Sequence, residues 1–347
     1  MKHRLMGRTG LLVSEMCLGT NTFGGVGNPY WEPLGGLDQP AATAMVGRAF
    51  EAGINFFDTA DIYAAGESEE RLGQALKDIK ADRSELIVLT KGGMRMGTGV
   101  NGVGSTRAHL HSALNASLKR LRTDYVDVYM VHQWDRLTPM EETMRALDDL
   151  VKAGKVRYLG CSNFAAWQVM LANGIAEREH LARFEVVEAY YSIGTREIER
   201  ELAPMALHQN VGITMWGALL GGVLTGKYKR GGAMPEGTRF SGGIWMPFDQ
   251  DKVFDIVDAM RPIAGAHGAT LAQVALAWLL HQPAITSIVF GARTLAQLDD
   301  NLAAADIVLT TDELAALGKV SALNSEYPTW KIAEALTDRP VPGLRGG

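Results

Sequence analysis

Short runs of β-branched residues alternate with amphipathic segments along almost the whole of this 347-residue chain. Their spacing of about 30 residues suits right-handed strand–helix–strand crossovers in a parallel sheet. The pattern therefore predicts an α/β fold with eight strands, a (β/α)8 TIM barrel. The strands are expected at residues 15–19, 54–58, 85–90, 125–131, 156–161, 184–189, 212–216 and 284–290.

Additional segments surround this repeat. A β-hairpin is expected over residues 4–14, before the first strand, and a helix over 106–121 with Ser105 as its cap. Between strands seven and eight lie a Gly- and Pro-containing stretch, 229–248, and extra helices near 251–266 and 271–281. Long loops on the C-terminal face of a barrel commonly cover a substrate pocket. Because the sequence contains no low-complexity linker, residues 1–347 are predicted to form one domain.

Composition narrows the classes of function. The net charge of −5 gives no basic face for nucleic acid. The polar N-terminus does not resemble a secretory signal, and no apolar run approaches the roughly 18 residues of a membrane span. Cys17 and Cys161 lie in separate strand-like runs, which favours buried free thiols and a reducing cytoplasm.

Four polar residues are predicted at the ends of neighbouring strands. Asp58 and Tyr63 follow the second strand, Lys91 closes the third and His132 closes the fourth. Because the carboxyl ends of barrel strands form the active face, these residues are expected to share one rim.

Together these groups suit proton transfer to a carbonyl. A lysine ammonium lowers the pKa of a nearby phenol, and an aspartate keeps the lysine charged. We therefore assign Tyr63 as the general acid, Lys91 and Asp58 as the residues that adjust its pKa, and His132 as the group that orients the carbonyl. The hydride must come from a cofactor. Each residue considered alone could have an ordinary structural role. Four such polar residues would, however, rarely occur together at adjacent strand ends by chance.

The motifs around these residues resemble the aldo-keto reductase superfamily. The similarity spans roughly residues 1–320 and is greatest to bacterial branches that also resemble potassium-channel β-subunits. Its main motifs are GINFFDTADIY with GESE at 53–69, TK at 90–91, SLKRL at 117–121, GKVRY at 154–158, GCSNF at 160–164 and GAR at 291–293.

The resemblance implies a barrel that binds NADPH without a separate nucleotide-binding domain, and it makes Asp58, Tyr63, Lys91 and His132 the catalytic tetrad. It also implies a set of residues that contact the cofactor. These are Thr20, Asn21, Asp58, Ser162, Asn163, Glu188, Trp216, Gly217, Ala218, Leu219, Gly221, Lys227, Arg239, Gly291, Arg293, Gln297, Asp300 and Asn301.

Arg293 supports NADP over NAD on physical grounds. It stands one residue before Thr294, the expected cap of a helix, where a guanidinium and helix N-terminal amides together suit a phosphate.

Two positions depart from the family pattern. Gly217-Ala218 replaces the usual Ser-Pro, which removes a hydroxyl and loosens the backbone. Glu188 replaces the usual Gln, and a charged carboxylate there would favour the oxidised, positively charged nicotinamide.

Aromatic residues in loops over the expected mouth predict an apolar substrate pocket. They are Phe23, Tyr30, Trp31, Trp134, Trp245 and Phe248. A bulky apolar or aromatic carbonyl compound, or its alcohol, fits such a pocket, although sugars also stack on aromatic rings. The alternative is that some of these rings only anchor their own loops. Neither the physiological substrate nor the oligomeric state can be deduced from the sequence.

The sequence leaves one other function open and argues against two more. An NADPH-binding regulatory or redox-sensing subunit with slow turnover stays open, although His132 completes the catalytic set. The stretch 221–227 has P-loop spacing, but Tyr228 replaces the magnesium-binding hydroxyl residue. A metal-dependent barrel lacks a second histidine at a strand end.

Overall fold

The computed structural model describes residues 1–232, 235–240 and 246–335. Two short antiparallel strands, β1 (His3–Leu5) and β2 (Leu12–Ser14), precede a closed barrel of parallel strands. The eight barrel strands are β3 (Met16–Gly19), β4 (Phe56–Asp58), β5 (Ile87–Gly92), β6 (Val126–Val131), β7 (Val156–Ser162), β8 (Phe184–Tyr190), β9 (Gly212–Trp216) and β10 (Ile285–Phe290). They pair in chain order, and β10 closes the ring against β3. The predicted (β/α)8 TIM barrel with an N-terminal hairpin is confirmed.

Helices follow the strands and cover the outside of the barrel. In chain order they are α1 (Gln39–Glu51), α2 (Glu67–Asp78), α3 (Arg107–Leu121), α4 (Met140–Lys152), α5 (Ala166–Glu179), α6 (Leu202–Gln209), α7 (Gln250–His267), α8 (Leu271–Leu280), α9 (Leu295–Leu302), α10 (Thr311–Val320) and α11 (Thr329–Ala335). The extra helices predicted between strands seven and eight are α7 and α8. Among the described residues, no single helix is long and apolar enough to cross a bilayer, and the one pair that passes this test together, α7 and α8, is bent by 94°.

Alternation along the buried strands divides the core in two. Side chains that point outward pack against the helices, whereas side chains that point inward fill the barrel. The inner cluster comprises Met6, Val13, Cys17, Phe56, Ile87, Leu89, Val128, Met130 and Val186. It occupies the barrel below the strand ends, so polar side chains nearer the C-terminal rim stand on an apolar floor.

The N-terminal hairpin caps the opposite end of the barrel. Arg4 donates hydrogen bonds to the carbonyls of Ile285 (2.7 Å) and Leu280 (2.6 Å) and pairs with Glu15 at 3.1 Å. Gly7 has a φ of +57°, and a Cβ there would lie 2.4 Å from the carbonyl oxygen of Glu185. Only glycine allows this approach.

One predicted helix cap is wrong. Thr106, not Ser105, caps α3, because its hydroxyl accepts a hydrogen bond from the backbone N–H of His109 at 3.3 Å. Ser105 is buried instead, and its N–H donates to Asp135 at 2.8 Å. Serine and threonine are both favoured as helix caps. The contact of Ser105 with Asp135 therefore decided which of the two neighbouring residues caps α3.

Candidate active site

The four residues predicted to share a rim lie together. Asp58 ends β4 and Lys91 is the penultimate residue of β5, so both lie at the carboxyl ends of neighbouring barrel strands. The Nζ of Lys91 contacts the Oδ1 of Asp58 and lies 5.3 Å from the centroid of the Tyr63 ring. Tyr63 opens a short 3-10 helix, Tyr63–Gly66, and its ring centroid is 5.8 Å from that of His132.

Burial is the largest single influence on the pKa of both Asp58 and Lys91. Lys91 is fully buried and Asp58 is 2% exposed. Burial raises the pKa of Asp58, and the ammonium of Lys91 opposes that rise. Burial alone would lower the pKa of Lys91, but the carboxylates of Asp58 and Glu188 outweigh it and raise that pKa well above its usual value. Lys91 is therefore an ammonium throughout the ordinary pH range.

The phenol and the imidazole are both uncharged at neutral pH. Burial raises the pKa of Tyr63, while the charge of Lys91 and a hydrogen bond from it lower that pKa. The predicted effect of the lysine is thus present but smaller than the cost of burial. Burial and, to a smaller extent, the positive charge of Lys91 lower the pKa of His132 to about 3. A protonated phenol beside a neutral imidazole suits donation of a proton to a substrate oxygen.

Asn163 links the ends of three strands near this group. Its side-chain amide donates to the backbone oxygen of His132 and to the hydroxyl of Ser162, each at 3.0 Å. Its side-chain oxygen accepts from the indole N–H of Trp216 at 3.1 Å. Ser162 is buried, whereas Asn163 is exposed and has a φ of +59°. These hydrogen bonds hold the amide of Asn163 and the hydroxyl of Ser162 beside the indole ring of Trp216.

The unusual Gly217 has a structural reason. Tyr190, at the end of β8, packs against Trp216 with ring centroids 4.6 Å apart and an angle of 31°. Gly217 has a φ of +81°, and a Cβ there would lie 2.6 Å from the Tyr190 ring. A serine at this position would therefore collide with Tyr190 unless the backbone changed.

Three predicted cofactor cations lie close to one another. Repulsion from Arg293 and Arg239 adds to the effect of burial and lowers the pKa of Lys227. Arg239 is affected in the same way by burial and by Arg293. None of the three has a carboxylate partner among the ion pairs of the described residues. Such a cluster attracts an anion.

Arg293 stands at the start of α9, as its sequence position predicts. Thr294 caps that helix, and the backbone N–H of Arg293 donates to the side chain of Gln297 at 2.9 Å. Its guanidinium donates to the carbonyls of Gly237 (3.1 Å) and Pro33, so it also joins two loops of the mouth. Carbonyl partners leave its positive charge uncompensated.

The remaining predicted cofactor residues occupy the same side of the mouth or the helices beside it. Thr20 is buried and donates to the backbone oxygen of Asp58 at 3.0 Å, while Gly291 approaches Asn21. Asp300 accepts from Gln273 at 2.8 Å and Asn301 is 5% exposed. Ala218 is buried, Leu219 is half-buried, and Gly221 has a φ of +62°.

The mouth aromatics divide into two groups. Trp31 lies against Tyr63 at 6.5 Å and against Tyr30, which is 71% exposed, at 5.0 Å. Phe23 is instead fully buried in the outer core, and Trp134 packs edge-on against Phe164 at 5.5 Å. Of the predicted substrate residues, Trp31 thus lies nearest the phenol. Trp245 lies outside the described residues.

Tyr190 and Asp61 lie near the site without having been predicted from the sequence. Tyr190 is two residues beyond Glu188, so strict alternation along β8 places both on the inner face. Asp61 is fully buried with neither carboxyl oxygen hydrogen-bonded among the described residues. Asp61 lies within the motif at residues 53–69, but the motif does not show that its carboxyl group is buried without partners. Within the described ranges, no three His, Cys, Asp or Glu side chains converge as metal ligands would.

Polar side chains at the C-terminal rim of a (β/α)8 barrel are typical of enzymes. Comparison with known proteins identifies the family. The model of the aldo/keto reductase family matches residues 15–322. A probable voltage-gated potassium channel subunit beta from Arabidopsis thaliana is 35% identical over 314 residues, 89% of this chain and 92% of the relative. Versiconal hemiacetal acetate reductase from Aspergillus parasiticus is 34% identical over 90% of this chain and 95% of its own. Norsolorinic acid reductase from Emericella nidulans is 35% identical over 90% and 79%.

The chain belongs to the aldo/keto reductase family. It is therefore an NAD(P)H-dependent oxidoreductase that acts on carbonyl compounds. The predicted superfamily and enzyme class are confirmed.

Proposed function

We propose that this protein is an NADPH-dependent reductase that interconverts a bulky apolar or aromatic aldehyde or ketone and its alcohol, with Tyr63 as the acid and base. The observation that carries the proposal is the fully buried ammonium of Lys91, held by Asp58 and directed towards the Tyr63 ring. The bound nicotinamide supplies or accepts a hydride.

Each residue of the tetrad has a distinct part. Tyr63 donates its hydroxyl proton to the carbonyl oxygen during reduction and takes it back during oxidation. Lys91 stabilises the phenolate that forms in between, because a buried opposite charge offsets the desolvation of the phenolate. Asp58 holds Lys91 in place. His132 remains uncharged and donates a hydrogen bond to the same oxygen.

The choice of NADPH rests on the cations. Lys227, Arg239 and Arg293 would hold the pyrophosphate and the 2′-phosphate, because no carboxylate of the described residues neutralises them. Bidentate contacts make arginine well suited to a terminal phosphate. Ser162 and Asn163 would hold the carboxamide of the nicotinamide, and Trp216 its ring.

The choice of an apolar substrate rests on the indole beside the phenol. Trp31 packs on Tyr63 and is half-buried, so an aromatic or aliphatic group on the carbonyl compound would bury further apolar area there. Two relatives are named as reductases of organic compounds, versiconal hemiacetal acetate and norsolorinic acid, which supports an organic carbonyl substrate here. We extend the proposal to a single domain over residues 1–347. We also propose a cytoplasmic location, where the two buried free thiols, Cys17 and Cys161, stay reduced.

The test removes only the acidic proton. Tyr63→Phe should lower kcat by about 10²–10⁴-fold, the usual contribution of general acid catalysis. NADPH affinity, measured by quenching of tryptophan fluorescence, should stay within about twofold of wild type.

Tyr125→Phe provides the matched control. Tyr125 packs between Arg83 and Arg157 before the start of β6, at the opposite end of the barrel, so its loss should leave kcat unchanged. Turnover of Tyr63→Phe close to wild type would exclude Tyr63 as the acid.

A regulatory subunit is the second candidate, and the relatives named as potassium channel β-subunits favour it. Such a protein would bind NADPH tightly and turn over slowly with every carbonyl compound. A screen of carbonyls that follows NADPH absorbance, run beside the fluorescence titration, separates the two functions. Binding without turnover across aromatic, aliphatic and sugar carbonyls would support the regulatory role.

A further inference from the structure

Glu188 adds a second buried carboxylate to the lysine of the active site. It lies in β8 opposite Thr214 of β9, and its Oε1 is 3.4 Å from the Nζ of Lys91. Glu188 is 2% exposed, as is Asp58. The other carboxyl oxygen of Glu188 has no hydrogen-bond partner among the described residues. Two acids therefore share one ammonium inside the barrel.

No other charge among the residues that the structure describes balances this group. Within the described part of the chain, Lys91 is the one cation paired with Glu188. The groups that face it from neighbouring elements are neutral at ordinary pH: the thiol of Cys17 in β3, the phenol of Tyr63, the imidazole of His132, and the hydroxyls of Ser162 in β7 and Thr214 in β9. With Asp58 and Glu188 both ionised, the cluster would carry a net charge of −1.

A net charge in this water-poor interior is costly, so one carboxyl group tends to keep its proton. Burial and repulsion from Asp58 raise the pKa of Glu188 to about 8, although Lys91 opposes the rise. Asp58 is the better-paired acid, since it contacts Lys91 directly. Glu188 is therefore the protonated member at neutral pH when no cation is added.

We propose that Glu188 balances the charge of the nicotinamide: it is a carboxylic acid when the ring is reduced and neutral, and a carboxylate when the ring is oxidised and positive. This inference rests on the proposed function, because it takes the nicotinamide to bind above Lys91. Glu188 would then be a positioning residue for a proton rather than a contact of the substrate.

The proton balance of reduction closes within the cluster. The O–H bond of Tyr63 breaks as the O–H bond of the alcohol forms, and the hydride comes from the reduced nicotinamide. The phenolate regains a proton from the Nζ of Lys91, which regains one from the Oε1 of Glu188 across the 3.4 Å contact. Glu188 takes up a proton from water when the oxidised cofactor leaves. The buried site thus keeps the same total charge before and after the reaction.

Binding of the two cofactor forms tests this without turnover. The dissociation constants of NADP⁺ and NADPH are measured by tryptophan fluorescence from about pH 6 to pH 9 on the full-length protein. Their ratio cancels the titration of the 2′-phosphate. NADP⁺ should gain affinity relative to NADPH by nearly tenfold per pH unit below the pKa of Glu188 and level off above it.

Glu188→Gln should make this ratio independent of pH. Calorimetry in two buffers of different ionisation enthalpy should show that wild type releases close to one proton more than Glu188→Gln when each binds NADP⁺ near neutral pH, because the contribution of the 2′-phosphate is common to both. The matched control is Glu185→Gln, the same change in the same strand, where Glu185 faces Arg183 at 3.7 Å rather than Lys91. It should keep the wild-type profile.

The outcomes separate this inference from the proposed function. Loss of binding of both nucleotides by wild type would overturn the proposed function. If wild type binds both nucleotides tightly and turns over, but the ratio of its NADP⁺ and NADPH dissociation constants does not change with pH, the role of Glu188 is overturned and the proposed function stands. This holds whatever the variant does. A pH-dependent ratio that persists in Glu188→Gln would also overturn the role of Glu188.

Discussion

Asp61 should make the protein less stable as the pH rises. It follows β4, is fully buried, and has no hydrogen-bond partner for either carboxyl oxygen among the described residues. Burial and repulsion from Glu69 raise the pKa of Asp61 from 3.8 to about 7, although Arg120 opposes the rise. Because the unfolded chain ionises this carboxyl group more easily, each pH step between these two values favours unfolding.

The magnitude follows from the two pKa values. The full penalty, reached above the folded-state pKa, is about 4 kcal/mol. Only about 2 kcal/mol is present near pH 5, where the folded carboxyl group is still protonated. Asp61→Asn removes the titration and keeps the shape. The variant should therefore be more stable than wild type by about 2 kcal/mol at pH 5 and about 4 kcal/mol at pH 8.

Urea unfolding at several pH values measures this difference, provided that refolding is reversible. Asp299→Asn is the control, because Asp299 is half exposed and pairs with Arg48 on the surface. Its effect should stay within about 1 kcal/mol at every pH. A constant gap between Asp61→Asn and wild type, or a gap that shrinks as pH rises, would refute the argument.

Two further changes probe the cofactor side of the mouth. Gly217→Ala should cost about 1–3 kcal/mol and weaken NADPH binding, because a Cβ at positive φ meets Tyr190; Gly154→Ala, also at positive φ but with open space around it, isolates the backbone strain. Equal losses of stability and NADPH affinity in both variants would show that the Tyr190 contact is irrelevant. Arg293→Ala should weaken NADPH by about 10–100-fold and NADH far less, with Arg293→Lys between them. Similar losses for the two nucleotides, in fluorescence titrations, would place the 2′-phosphate elsewhere.

Local sequence patterns were sufficient for much of the fold. Short apolar runs at regular spacing predicted all eight barrel strands to within a few residues, because each strand is buried on both faces and reads as a continuous apolar run. Boundaries set by single side chains were less predictable. Thr106 and Ser105 are chemically equivalent as caps, and only the contact of Ser105 with Asp135 separates them.

The candidate site shows the same division. Parallel strands that start at one end must finish at the other, so their order alone brought Asp58, Lys91 and His132 to one rim. The protonation states of these residues could not be predicted from the sequence. They depend on burial and on distances across the barrel, such as the one between Lys91 and Glu188.

The sequence by itself determined the barrel, the family and the chemical groups at the rim, since these follow from short-range periodicity and motifs. Only the tertiary structure decided which of those groups hold protons. It desolvated the hydroxyl of half-buried Tyr63 enough to raise its pKa more than the lysine lowers it, and it set Tyr190 against Gly217. Desolvation and contact across the barrel join residues far apart in the chain, and such long-range terms leave no periodic trace in the sequence.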